Sequence, residues 1–301
     1  MSGSEEDQAA DDAAGKAAGR RPPTKTPMFT ARNSARYERQ DLIKAINAAE
    51  KTQLICYVAG HDTEINRDDL LGFVDLLHNI SDGEPVDLML HTCGGDVDAC
   101  EKLVAAIHAK VGESPFRVIV PDMAKSAGTL MALGANSVIM SDTSELGMID
   151  PQYPMADRQG NVIMHSVVAY LEAYEEHAAA LRRDVKDPIA LLMLDGFDAK
   201  IVRKFQGIRD RVRTFAEDLL KRQGLPASAI SAELLSSSRW KTHAQPISHA
   251  DATQLGLPIE YVAPDDPRWA RYWRLYCLQR IEIAGDSKIF ESSFVSQVVE
   301  G

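Results

Sequence analysis

The chain has 301 residues, 45% of them hydrophobic, and a formal net charge of −11. That length and apolar content fill one large core or two small ones. The acidic balance argues against a nucleic-acid binder, which carries a basic face to neutralise phosphates.

Residues 1–27 are rich in Ala, Gly, Asp, Glu and Pro. Such a segment buries too little apolar area to offset its ordering entropy, so it reads as a disordered acidic tail. A helix is expected from about Ser34 to Glu50. Leu54–Ala59 is a short apolar run closed by Gly60, the pattern of a buried strand. Arg67–Asn79 carries Leu70, Leu71, Val74 and Leu77 at helical spacing. Val86–His91 is the next strand. Asp96 or Asp98 can then cap a helix with Leu103, Val104, Ile107 and Val111 on one face. The strand Arg117–Pro121, a short small-residue helix Ser126–Gly134 and the strand Ser137–Met140 follow. Strands alternating with helices predict parallel pairing through right-handed crossovers.

Residues 164–222 read as a helical insertion. Ile201, Phe205, Ile208, Val212, Phe215 and Leu219 recur every three or four residues, which predicts a long amphipathic helix. Its stripe either packs on the core or forms a handle for oligomerisation, and periodicity does not choose. A compact unit resumes with Trp240–Ile247, a helix from about Ser248 and the segment Gly256–Val262. The main domain is therefore read as 28–265. Residues 266–301 form a C-terminal extension whose Trp269, Tyr272, Trp273 and Tyr276 suit an interface or a substrate-facing edge.

No apolar run approaches the ~18 residues of a membrane span, and no secretory leader is visible. Cys56, Cys93, Cys100 and Cys277 form no Cys-x-x-Cys pair. The expectation is reduced thiols in a soluble cytoplasmic protein, with no metal and no cofactor.

Two loops carry the chemistry. His91-Thr-Cys-Gly-Gly-Asp96 lies between a strand and a helix, where paired glycines let backbone N–H groups approach a ligand. Met123-Ala-Lys-Ser-Ala-Gly-Thr129 also joins a strand to a helix. A serine there is exposed on a sharp turn, the physical logic of a nucleophile elbow without its G-x-S-x-G pattern. A lone serine at a helix start is more often a cap.

The two loops together, in this order, resemble the serine dehydrogenase proteinase family, which belongs to the Clp-peptidase/crotonase superfamily and is related to signal peptide peptidase A. Leu146-Gly-Met-Ile-Asp-Pro-Gln152, Trp240-Lys-Thr-His243 with Pro246-Ile247, and Ala252–Leu257 resemble further family segments. The resemblance covers roughly residues 50–262. Cys93 departs from it, standing where the family carries proline. The resemblance implies an α/β spiral of repeated β-β-α units with an added helical region. It further implies a serine endopeptidase with Ser126 as nucleophile. Gly95 and Ala127 would be the oxyanion donors, with Gly94 beside them at the substrate.

The resemblance leaves the base open. Asp150 occupies the position of the Clp-peptidase histidine, and His243, 13 residues before Gly256, occupies that of its aspartate. The exchanged types allow a Ser126–His243–Asp150 triad, with His243 as base and Asp150 orienting it. Signal peptide peptidase A uses a lysine instead, and Lys186 and Lys200 lie in the corresponding region. Lys125 is discounted because adjacent side chains point apart. The expected partners are a peptide or unfolded-protein substrate and further copies of the chain in a homo-oligomeric ring. Neither nucleic acid nor membrane is expected, and a regulatory ATPase is not identified. The competing functions are a crotonase-type acyl-thioester enzyme and an inactive oligomeric scaffold.

Overall fold

The computed structural model describes residues 24–156 and 159–300 of the chain. The expected tail lies outside the described residues as far as residue 23. The chain divides into two compact units between Glu38 and Arg39. In the first, α1 (Pro27–Arg32) starts on Thr26, whose hydroxyl accepts the Phe29 N–H at 3.3 Å. α2 (Ser34–Glu50) continues into the second and buries Ile43 and Ile46 there.

The second unit begins with β1 (Gln53–Ala59), α3 (Asp69–His78), β2 (Val86–His91), α4 (Val97–Val111) and β3 (Phe116–Ile119). Next come β4 (Met123–Ala124), α5 (Ala127–Leu133), β5 (Ser137–Met140) and β6 (Glu145–Leu146). The hairpin β7 (Gln152–Ala156) and β8 (Val162–Ser166) leads to α6 (Val167–Arg183), α7 (Pro188–Asp195), α8 (Ala199–Arg222) and α9 (Ala227–Leu234). α10 (His249–Gln254), β9 (Ile259–Tyr261), α11 (Pro267–Glu282), β10 (Ser287–Glu291) and β11 (Ser296–Glu300) complete it.

The main sheet runs β11-β10-β1-β2-β3-β5-β9. Its five strands from β1 to β9 are parallel, and Ile55, Leu88, Val118, Val138 and Ile259 form one row across them. β4 and β6 pair in a small second sheet, so β3–β4–α5 is a β-β-α unit and β5–β6 repeats its strand pair. The architecture is α/β, as the alternation predicts.

Strands covered on both faces read as continuous apolar runs. On β1, Ile55, Tyr57 and Ala59 face the core shared with α3, α4, α5, α8 and α9. Leu54, Cys56 and Val58 face a second core made with α2 and α11. Truncating a residue such as Leu88, fully buried in the first core, costs about 2–5 kcal/mol.

The predicted helical segment starts at Val167, because residues 164–166 belong to β8. On α8, Phe205 packs against Tyr153 and Tyr170 with ring centroids 5.3 and 5.0 Å apart. Val212, Phe215 and Leu219 enter the main core. Most of this stripe therefore packs inward. Residues 266–300 likewise pack on the sheet as α11 and extend it as β10 and β11. β10 pairs antiparallel with β1, and Glu291 on it accepts two bonds from Arg39 at 3.0 and 2.9 Å. Trp269, Tyr272 and Tyr276 of α11 are buried.

Candidate active site

Ser126 stands between β4 and α5 with φ 50° and ψ −115°. That is a glycine-type conformation, and such strain costs about 1–3 kcal/mol. The surroundings hold it. Lys125 N–H donates to Thr92 O at 3.0 Å and Gly128 N–H to Lys125 O at 2.7 Å. Thr129 Oγ1 lies 2.8 Å from Ala124 O and accepts the Gly147 N–H at 3.0 Å. Ser126 occupies the N-cap position of α5, yet its hydroxyl makes no capping hydrogen bond.

The glycine loop lies against this turn. Gly94 and Gly95 have φ of 116° and 142°. Asp96, not Asp98, caps α4, accepting from Asp98 N–H and Ala99 N–H at 2.8 and 3.2 Å. Ile65 clamps the loop from outside: its N–H donates to Gly94 O at 2.7 Å and its carbonyl accepts from Asp96 N–H at 2.8 Å. The Gly94 N–H is held by Thr92 Oγ1 at 3.1 Å. Among the described residues, the Gly95 N–H meets no acceptor. Ala127 opens α5, so its N–H is one of the unpaired donors of a helix start.

A cavity of about 550 Å³ opens over Ser126 and Gly95. His243 lines it, and so do Leu130, Ile149, Met164 and Ile208. Asp150 is buried behind His243, and Gln152 stands between them. The Gln152 amide nitrogen donates to Asp150 Oδ2 at 2.8 Å and lies 3.3 Å from His243 Nδ1. Val168 N–H at the start of α6 donates to Asp150 Oδ1 at 3.1 Å. Burial raises the Asp150 pKa, opposed by its hydrogen bonds with Ser166 and Val168. Burial lowers the His243 pKa; the Asp150 charge opposes that shift and the Lys125 charge adds to it.

The sequence-predicted residues thus separate. Ser126, Gly95 and His243 share one cavity, with Gly94 and Ala127 flanking Ser126. Lys186 and Lys200 are exposed and line no part of it. Lys125 is buried and engaged: its Nζ meets Glu145 Oε1 at 2.8 Å, Leu146 O at 3.2 Å and Ala244 O at 3.5 Å. Cys93 lines the cavity, but burial and the Glu64 charge raise its pKa and keep the thiol protonated.

Sequence reasoning missed Gln152 and Lys204. Gln152 was legible only as part of an Asp-Pro-Gln segment. Lys204 lines the cavity and sits 4.3 Å from the centre of the Tyr153 ring. Helical spacing would have found it, because Lys204, Ile208 and Arg211 share one face of α8. Among the described residues, no group of three His, Cys, Asp or Glu side chains is arranged to hold a metal, and no helix is long and apolar enough to cross a membrane.

A family model described as ClpP-like SDH-type serine proteinase matches residues 65–269. An uncharacterized protein of Methanocaldococcus jannaschii is 34% identical over 184 residues, 61% of this chain and 56% of its own length. A second from the same organism is 29% identical over 184 residues, 60% of this chain and 53% of its own length. The chain thus spans little more than half the length of these curated relatives. Among solved structures, a membrane-bound stomatin-specific protease aligns over 72% of this chain and 82% of its own, at 16% identity and a TM-score of 0.44. ClpP1 from Listeria monocytogenes aligns over 73% of this chain and 94% of its own, at 16% identity and a TM-score of 0.40.

Proposed function

The chain belongs to the ClpP-like SDH-type serine proteinase family, and from that premise we propose that it hydrolyses peptide bonds through an acyl-enzyme on Ser126. The observation that carries this reading is the Ser126 turn. It is strained, its hydroxyl is released from capping, and it opens into a cavity beside a Gly95 N–H that meets no acceptor among the described residues.

In this mechanism His243 takes the Ser126 proton as the oxygen attacks the scissile carbonyl carbon. The carbonyl π bond breaks, and the resulting oxyanion is held by the Gly95 and Ala127 N–H groups. One such donor is worth on the order of 10²–10³ in rate. The intermediate collapses, the C–N bond breaks, and His243 returns the proton to the departing amine. Water then repeats the sequence to release the acid and restore Ser126.

Gln152 is the orienting group, and Asp150 acts through it. A base at Nε2 needs the ring proton on Nδ1. Gln152 accommodates that when its amide turns so that Oε1 accepts from Nδ1. Asp150 in turn holds the hairpin residue Gln152 against His243, through Oδ2, and the start of α6 through Oδ1. The substrate is a peptide or unfolded segment, and the working form is a homo-oligomer.

A fluorophosphonate probe tests the reading. The full chain is expected to label at a single serine, and Ser126→Ala to abolish labelling. Persistent labelling of that variant, or none of the wild type, sinks it.

A further inference from the structure

One wall of the cavity over Ser126 is a face of α8. Lys204, Gly207, Ile208, Arg211 and Val212 line it, spaced as a single helical face. Four of these carry long or branched side chains. The fifth is a glycine in the interior of a 24-residue helix.

Glycine there is costly. It loses about 1 kcal/mol against alanine in a helix interior, because the unfolded chain surrenders more freedom on folding. Such a residue is usually retained because it allows a left-handed conformation or a close approach. Neither applies at Gly207. Its φ is not positive, and a Cβ built on it would meet nothing within 4 Å. Other glycines near the site are crowded: a Cβ on Gly147 would lie 2.7 Å from Lys125 Cδ, and one on Gly95 2.3 Å from Ile65 O. The chain thus gives up helix stability at a cavity-lining α8 position where a missing side chain leaves open space.

We propose that Gly207 is a specificity-determining residue, keeping the α8 wall open so that a bulky apolar group seats over Ser126 against Leu130, Ile149 and Ile208. The inference rests on Ser126 being the nucleophile. It deepens that reading by assigning the substrate class: large apolar side chains beside the scissile bond. Lys204 and Arg211, flanking the gap, are held aside by the Tyr153 hydroxyl and by Asp98 and Glu101, and do not compete for the apolar space.

Gly207→Ala and Gly207→Leu are compared with wild type, using alkyl fluorophosphonates from ethyl to dodecyl. Wild type is expected to label with both chain lengths. Gly207→Leu should keep ethyl labelling within about threefold and lose dodecyl labelling at least tenfold, the latter a loss of ~1.4 kcal/mol. Gly207→Ala should fall between, with a higher melting temperature than wild type. Equal length selectivity in wild type and Gly207→Leu overturns the proposal. So does a change of assembly size in either variant by light scattering, which would make Gly207 a contact between copies. No labelling of wild type by the ethyl probe instead sinks Ser126 as nucleophile, a separable failure.

Discussion

Gly94 and Ser126 are packed so closely that a Cβ on the glycine would lie 2.7 Å from the serine Cβ and 3.0 Å from Lys125 O. The two loops read separately from the sequence therefore form one rigid unit. Gly94→Ala is expected to push Ser126 away from Gly95 and to strain a residue at φ 116°. Fluorophosphonate labelling should slow at least a hundredfold, as displacements near 1 Å cost that much. Gly83→Ala is the control. It is also at positive φ, 82°, but opens onto empty space. It should cost about 1–2 kcal/mol in chemical denaturation and leave labelling unchanged.

Ser126 holds its strained turn against its own preference. Ser126→Gly is expected to relieve the positive φ and raise stability by about 1 kcal/mol, even after the entropy glycine brings to the unfolded chain. For a domain of this size that is about 2–4 °C in Tm. Ser126→Ala keeps the strain and should leave Tm unmoved. Calorimetry of the two variants separates backbone strain from loss of the hydroxyl, and equal Tm values would remove the strain argument.

Lys125 Nζ spans from Glu145 to the carbonyl of Ala244, the residue after His243. It is a positioning residue under the proposed mechanism. Lys125→Met should loosen the His243 loop and lower kcat on the order of tenfold. It also removes a positive charge that helps depress the His243 pKa. The acid limb of the pH–rate profile should therefore move to higher pH. Lys125→Arg should restore the limb; a profile unmoved by Lys125→Met would reduce Lys125 to packing.

His91 is fully buried, and desolvation lowers its pKa from 6.5 to about 4. The unfolded chain binds this proton at the ordinary value, so acid favours unfolding through that window. Stability should be full above pH 6.5 and fall as pH drops to about 4, by about 3 kcal/mol from this group. His91→Gln should flatten that segment of the stability–pH curve. Denaturant midpoints at successive pH values check it, and parallel curves for the two proteins would refute it.

Much of the fold was legible because strands buried on both faces leave continuous apolar runs, as at Leu54–Ala59 and Val86–His91. Ser34–Glu50 was legible from its helical periodicity. The elbow and the glycine loop were legible because positive φ and close approach demand small residues at fixed positions. The role of residues 266–301 was hidden: an antiparallel β10 far along the chain leaves no local sign that β1 is its partner. The surroundings of His243 were hidden for a related reason. Gln152 and Lys204 reach the cavity from a hairpin and a helix remote in sequence from Ser126, and only folding brings them together.

Cys56 on β1 lies opposite Glu291 on β10, 235 positions later. During synthesis β1 therefore emerges long before the strand that covers its open flank. The parallel strands from β2 to β9 can assemble on the other side, but until β10 arrives β1 presents an unpaired edge of open backbone N–H and C=O groups on a largely apolar strand. The loop that must close is long, and such late, non-local pairing slows folding. Nascent chains paused before β10 are expected to bind holdase chaperones, and a chain ending after Glu282 to aggregate, even though every residue of the cavity is already present.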